Sequence, residues 1–215
     1  MRLERWERAQ QYERRFWENV AESAAVGSLW GIDFYEWRAG DLQRRLKRLG
    51  FEHLTGGGAC VVEIGGGPVG IIAHFPAAQR EAVDPLEPFY RTVSTFVPFR
   101  SNEVTYREGV GERLPYETSN FDLAIVDNCI DHVKDVDAVL REVLRVLRPG
   151  GVLYLTVNAR SRWGYGVHRV LSRLLIDPGH PHSFTPLRIH RRLRKHGFRV
   201  EAMEVGSLRK PGSTT

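Results

Sequence analysis

Residues 60–70 read Cys-Val-Val-Glu-Ile-Gly-Gly-Gly-Pro-Val-Gly, and few folds accommodate such a run. The apolar, β-branched segment 60–64 has the pattern of a strand buried on both faces, as in a parallel sheet. Gly65, Gly66 and Gly67 then permit a tight turn and a close approach, because no Cβ blocks either. Pro68 suits the first turn of a following helix, where its missing N–H costs nothing. The expected unit is strand, glycine loop and helix N-terminus, with the free N–H groups of that terminus aimed at whatever sits above the loop.

Gly65-x-Gly67-x-x-Gly70 fits the dinucleotide-binding fingerprint, but that pattern alone is weak. Glu63, two residues before the first glycine, adds a carboxylate that could help hold a ligand's ammonium group. Asp84 closes a short strand, residues 81–84, about twenty residues beyond the glycines. That spacing brings a carboxylate beside the loop, where it can accept both hydroxyls of a ribose.

Before the loop, residues 1–20 alternate Arg and Glu with Leu3, Trp6, Tyr12, Phe16 and Trp17 at near-helical spacing. This is an aromatic-striped helix that can pack on the domain, cover a substrate pocket, or both. Residues 27–33 form a break. A second helix spans 34–49, with Leu42, Leu46 and Leu49 facing the core and Gly50 ending it.

Beyond the loop, residues 69–78 read as a crossover helix, 87–97 as a modest helix and 104–107 as a third strand. Phe121 to Asp127 is a fourth strand. Asp135 caps a helix whose core face is Val136, Val139, Leu140, Val143, Leu144 and Leu147, ended by Pro149-Gly150-Gly151. Residues 152–157 make a fifth strand. An insertion, 158–181, carries a short helix near 167–175. A last helix, 187–196, is capped at Ser183 or Thr185, and 198–205 alternates as a sixth strand. Strands alternating with helices predict a Rossmann-like, doubly wound, mostly parallel α/β sheet, with ligands outside the carboxyl ends of the strands. The expected division is a helical extension or lid over 1–50, the sheet domain over 51–205 and a polar tail over 206–215.

Composition narrows the class. With 215 residues, 42% hydrophobic and 27% charged, the chain can bury a full core and has no stretch apolar enough to span a bilayer. The charged N-terminus lacks the apolar region of a secretory signal. Cys60 and Cys129 are expected as reduced, buried thiols, so the expected compartment is the cytoplasm.

Taken together, V-V-E-I-G-G-G-P-V-G, A-V-D-P, G-V-G-E-R-L-P-Y, F-D-L-A-I-V-D-N-C-I-D-H-V and L-R-E-V-L-R-V-L-R-P-G-G-V-L-Y-L resemble the class I S-adenosylmethionine (SAM) dependent methyltransferases. The small-molecule branch that includes ubiquinone- and menaquinone-biosynthesis enzymes is the nearest in pattern, over about residues 60–198. The resemblance implies that Glu63, Gly65, Gly66 and Gly67 line the methionine half of SAM. It implies that Asp84 binds the ribose, with Pro85 flanking the adenine. Gly111 and Glu112 would lie at the adenine edge, and Asn128 and Cys129 would give backbone contacts near the sulfonium. The chain departs from the family at Val110, where an adenine-binding side chain is usual, and by lacking a closing pair of strands. An unpaired sheet edge would invite a homodimer.

Methyl transfer from a sulfonium is an in-line displacement that needs alignment more than metal, and no metal cluster is apparent in the sequence. His132, oriented by Asp131, is the candidate base for a hydroxyl nucleophile. Tyr12, Trp17 and His182 are candidate substrate contacts. The expected reaction is methyl transfer to O, N or C of a small molecule. The alternatives are an RNA or protein methyltransferase, suggested by the basic segment 188–199, and a SAM-binding protein with reduced or no catalysis.

Overall fold

The computed structural model describes residues 2–25, 34–159 and 181–206. Five strands, β1 (Cys60–Ile64), β2 (Gln79–Asp84), β3 (Val104–Glu108), β4 (Phe121–Asp127) and β5 (Leu147–Thr156), form one parallel sheet in the order β3-β2-β1-β4-β5. The order reverses between β1 and β4, so a cleft opens above their carboxyl ends.

Strand pleating divides the core in two. Val62, Ile64, Ala124 and Val126 face α4 (Val136–Val146) and α5 (Pro186–Lys195). Val61, Leu123 and Ile125 face Leu42 and Leu46 of α2 (Phe34–Arg48) on the other side. α4 alone buries Val136, Val139, Leu140, Val143 and Val146. At ~1.5–3 kcal/mol per fully buried side chain, that face contributes roughly 10 kcal/mol before entropy is counted. The Asp135 carboxylate accepts from the N–H groups of Asp137 and Ala138, and the Thr185 hydroxyl from that of Arg188, so both expected caps form. A third cluster, Val20, Val69, Tyr90 and Phe96, lies at the carboxyl end of the sheet, with Trp17 of α1 (Arg2–Ala25) packed against it.

Several expectations are corrected. The crossover helix over 69–78 is one 3-10 turn, Ile71–His74. Gly70, at φ 81°, and Pro76 bound the segment on either side and confine it to that single turn. The helix expected over 87–97 is a single turn, α3 (Glu87–Tyr90), followed by turns and a second 3-10 turn, Val97–Phe99. Leu144 and Leu49, expected in the core, are exposed; Leu49 lies past the end of α2, and Leu144 falls off the narrow buried face of α4. Leu147 begins β5 rather than ending α4. Segment 198–205 forms no strand: Met203 and Val205 are exposed, Val205 by 72%, so the alternation there buries nothing. Among the described residues, β5 is therefore an edge strand. The break at 27–33, the helix at 167–175 and the tail from 207 lie outside the described residues. Cys60 and Cys129 are free thiols.

Candidate active site

The glycine loop is held from four directions. Glu63, 1% exposed, turns under the loop and accepts the N–H groups of Ile71 (3.1 Å) and Ile72 (2.9 Å). A Cβ on Gly70 would stand 2.5 Å from a Glu63 carboxylate oxygen, and one on Gly66 3.0 Å from its carboxyl carbon. Glu63 thus requires a glycine at 70, which also holds φ 81°, and leaves little room for a side chain at 66. The Asp84 carboxylate accepts from Gly67 N–H (3.1 Å) through one oxygen and Leu86 N–H (2.8 Å) through the other. From β3 and the segment before it, the Tyr106 hydroxyl donates to the Val69 carbonyl (3.0 Å). Arg100 donates to the Pro68 carbonyl (2.9 Å) and to both oxygens of Glu87 (2.8 Å).

This overturns one expectation. The N–H groups beyond the loop do not aim upward at a ligand; those of Gly67, Ile71 and Ile72 are bonded to Asp84 and Glu63. Burial raises the Glu63 carboxyl to about 7, against the backbone donors that pull it down. The same conflict puts Asp84 at about 6.

Above the loop stand the chain's own aromatics. A Cβ on Gly67 would meet the Tyr35 hydroxyl at 2.8 Å and the Trp17 ring at 3.1 Å. Trp17 makes edge contacts with Tyr90 and Phe96, with centroids 6.2 and 6.1 Å apart. Helix α1 crosses the carboxyl ends of the strands. It sets Glu13 against His132, with Oε1 3.2 Å from Nδ1, and Trp6 under the Lys134 ammonium at 3.9 Å. Asp131, buried, lies 3.8 Å from His132 Nε2.

The loop after β4 is fixed by a buried polar chain. Arg38 of α2, 4% exposed, pairs with Asp127 at the end of β4 and donates to the Thr156 hydroxyl (3.3 Å). Thr156 donates to Asp127 (2.5 Å) and accepts from Asn128 N–H (3.0 Å). Asn128 holds φ 51°, in the left-handed region. The Cys129 thiol donates to the Ile64 carbonyl (2.9 Å) and lies against Gly65.

The remaining sequence candidates divide. Gly111 packs on Ile64 and Val139, and Glu112 accepts from the N–H groups of Lys134 (2.7 Å) and Asp135 (3.1 Å), so both serve the approach to α4. Pro85 begins the turn after Asp84. Tyr12 is 46% exposed on α1. His182 donates through Nε2 to the carbonyl of Val133 (2.8 Å), and its own N–H donates to the Asp131 carbonyl (3.1 Å). Burial lowers its pKa, as expected of a neutral ring bracing that loop. Sequence reasoning missed Arg38, Glu13, Tyr35 and Arg100. Arg38 lies four residues before Leu42 on the buried stripe of α2, and Glu13 four before Trp17, so a charge on an apolar stripe was the available signal.

A parallel 3-2-1-4-5 sheet with this cleft is the class I methyltransferase fold. Residues 62–155 match the Methyltransferase domain family. Human mitochondrial ubiquinone biosynthesis O-methyltransferase is 27% identical over 141 residues, covering 61% of this chain and 38% of that protein. An uncharacterized methyltransferase of Mycobacterium sp. (strain KMS) is 33% identical over 102 residues, covering 47% and 40%. The matched stretch therefore spans well under half of these relatives. In fold, the chain is similar to a SAM-dependent methyltransferase from Thermotoga maritima (TM-score 0.52, 22% identity, 80% of this chain and 82% of that one). It is also similar to the trans-methyltransferase CalH, solved with SAH (TM-score 0.53, 19% identity, 80% and 55%).

Proposed function

We propose that the protein is a SAM-dependent methyltransferase acting on a nucleophilic O, N or C atom of a small molecule. The observation that carries this reading is the Asp84 carboxylate at the end of β2, bonded to Gly67 beneath Trp17 and Tyr35. Each Asp84 oxygen accepts one backbone N–H and keeps a lone pair for a ribose hydroxyl. The residues present therefore fit the nucleoside half of SAM. Pro85 and the turn after Asp84 would flank the adenine. Trp17, Tyr35 and the loop of Asn128 and Cys129 would enclose the methionine end.

When bound, SAM supplies a methyl group already activated on sulfur. The protein's share is then alignment and exclusion of water. Helix α1 does the excluding, because its aromatic stripe closes over the strand ends. His132 would take the acceptor's proton at Nε2, and the Glu13 carboxylate, 3.2 Å from Nδ1, would favour the charged ring that results. The similarity to a ubiquinone biosynthesis O-methyltransferase supports a small, aromatic-compatible acceptor, as does the aromatic lining from α1.

Calorimetric titration with SAM tests the reading; saturable binding is expected, and its absence would sink it. His132→Ala is expected to cut turnover by over tenfold, within the usual range for a lost general base, while leaving the SAM Kd unchanged. Unchanged turnover would remove His132 from the mechanism. A second reading, a polyanionic acceptor such as RNA, is favoured by α5: Arg192 and His196 pair with Asp137, but Arg191, Arg194 and Lys195 stand exposed. Steeply salt-dependent RNA binding would promote it.

A further inference from the structure

We infer that Arg38 is a positioning residue for the cofactor site, acting through Asp127 and Thr156 on the backbone of Asn128. The inference rests on the SAM-binding reading above and extends it to a residue on α2, outside the sheet.

The geometry is a relay. The Arg38 guanidinium, buried on the Leu42–Leu46 stripe of α2, pairs with Asp127 and donates to Thr156 Oγ1 (3.3 Å). Thr156 Oγ1 donates its own proton to Asp127 Oδ1 (2.5 Å), which leaves its remaining lone pair facing Asn128 N–H (3.0 Å). The Thr156 carbonyl accepts the same N–H at 3.1 Å. Asn128 is the residue at which the chain leaves β4 for the cleft, and it does so at φ 51°. Asn enters that region more readily than most residues, and here the bonds from Thr156 to its N–H hold it there.

Direction matters in this chain of bonds. A threonine hydroxyl has one proton and accepts through what is left. Arg38 and Asp127 together decide where that proton points, and so whether Thr156 meets Asn128 as an acceptor. Arg38 touches no reacting atom; its effect on the site is to settle the hydroxyl and, with it, the exit of the loop carrying Asn128, Cys129 and His132. Phe34, one turn earlier on α2, covers the guanidinium with its ring at 5.4 Å and keeps the relay dry.

Three variants test this. Arg38→Met leaves Asp127 buried without its cation and is liable to unfold, so Thr156→Val, nearly isosteric, is the main probe. Arg38→Lys restores the positive charge. Thr156→Val is expected to weaken SAM binding about tenfold by calorimetry and to speed hydrogen exchange at the Asn128 amide by a similar factor, as for one lost hydrogen bond. Arg38→Lys is expected to stay within about threefold of wild type in both measurements, since a single guanidinium nitrogen makes both contacts. Wild-type SAM affinity in Thr156→Val, or an Asn128 amide equally protected in both proteins, would overturn the inference. If the wild-type protein binds no SAM, the functional reading fails, whereas the exchange measurement still decides whether the relay holds Asn128.

Discussion

Asp84→Asn is expected to lower SAM affinity by about a hundredfold, and to remove a pH dependence that the wild type shows. The carboxylate accepts the backbone N–H groups of Gly67 and Leu86, one on each oxygen, and on the proposed reading would accept two ribose hydroxyls as well. An asparagine amide accepts through one atom only. Its NH2 group must face either Gly67 N–H or Leu86 N–H, donor against donor, and can no longer accept a ribose proton there. The clash with a backbone N–H is present with and without the ligand, so affinity loses one charge-assisted ribose bond, worth ~1.5–3 kcal/mol, and the charge on the other, together about a hundredfold. Burial raises the Asp84 carboxyl above its ordinary value, to about 6. The cofactor-free protein therefore holds the proton up to that pH, and the ionised acceptor that the ribose needs is complete only above it. Affinity is expected to be flat above about pH 7 and to fall close to tenfold per unit below about 6. Calorimetry from pH 5 to 8 reads both effects; a flat wild-type profile, or an asparagine variant that binds as tightly, would show that Asp84 does not meet the ligand.

Why some of this was legible in the sequence follows from what each residue does. Strands β1 and β4 are short apolar runs buried on both faces, so composition alone locates them, and Asp84 marks the end of the neighbouring β2 and Asp127 that of β4 itself. Caps such as Asp135 and Thr185 act on backbone two or three residues away, within reach of local reading. Glu63 misled because its pattern is the same whether it faces a ligand or the chain; only the fold shows it turned under the loop to Ile71 and Ile72. The shortened crossover was foreshadowed by Gly70 and Pro76, but a helix was the default between two parallel strands. Arg38 and Arg100 act across 89 and 32 residues of sequence, on Asp127 and Pro68, and no local window contains such pairs. The failed strand at 198–205 shows the converse: alternation is necessary for a half-buried strand, but pairing and burial are tertiary facts.

The largest loss of stability is expected from Gly65→Ala. Gly65 holds φ 70°, and a Cβ there would stand 2.6 Å from the Cys129 Cβ and 2.7 Å from its sulfur. Two costs combine. Ala in the left-handed region loses roughly 1–2 kcal/mol relative to glycine. Forcing apart two packed segments costs about 1–3 kcal/mol more. The neighbour cannot yield easily, since the Cys129 thiol is bonded to the Ile64 carbonyl and its backbone carbonyl accepts the N–H of His132. Any shift that relieves the clash displaces the loop bearing Asp131 and His132 as well. The variant is thus expected to lose about 2–5 kcal/mol in urea unfolding, a large part of the ~5–15 kcal/mol typical of a domain. The two costs separate in a double variant. Cys129→Gly removes both clashing atoms without altering φ at residue 65, so Gly65→Ala/Cys129→Gly is expected to be less destabilised than the sum of the single variants. The coupling should be about 1–3 kcal/mol. Simple additivity would mean that the glycine is required by its backbone conformation alone, and that the thiol does not set the spacing between the glycine loop and the loop after β4.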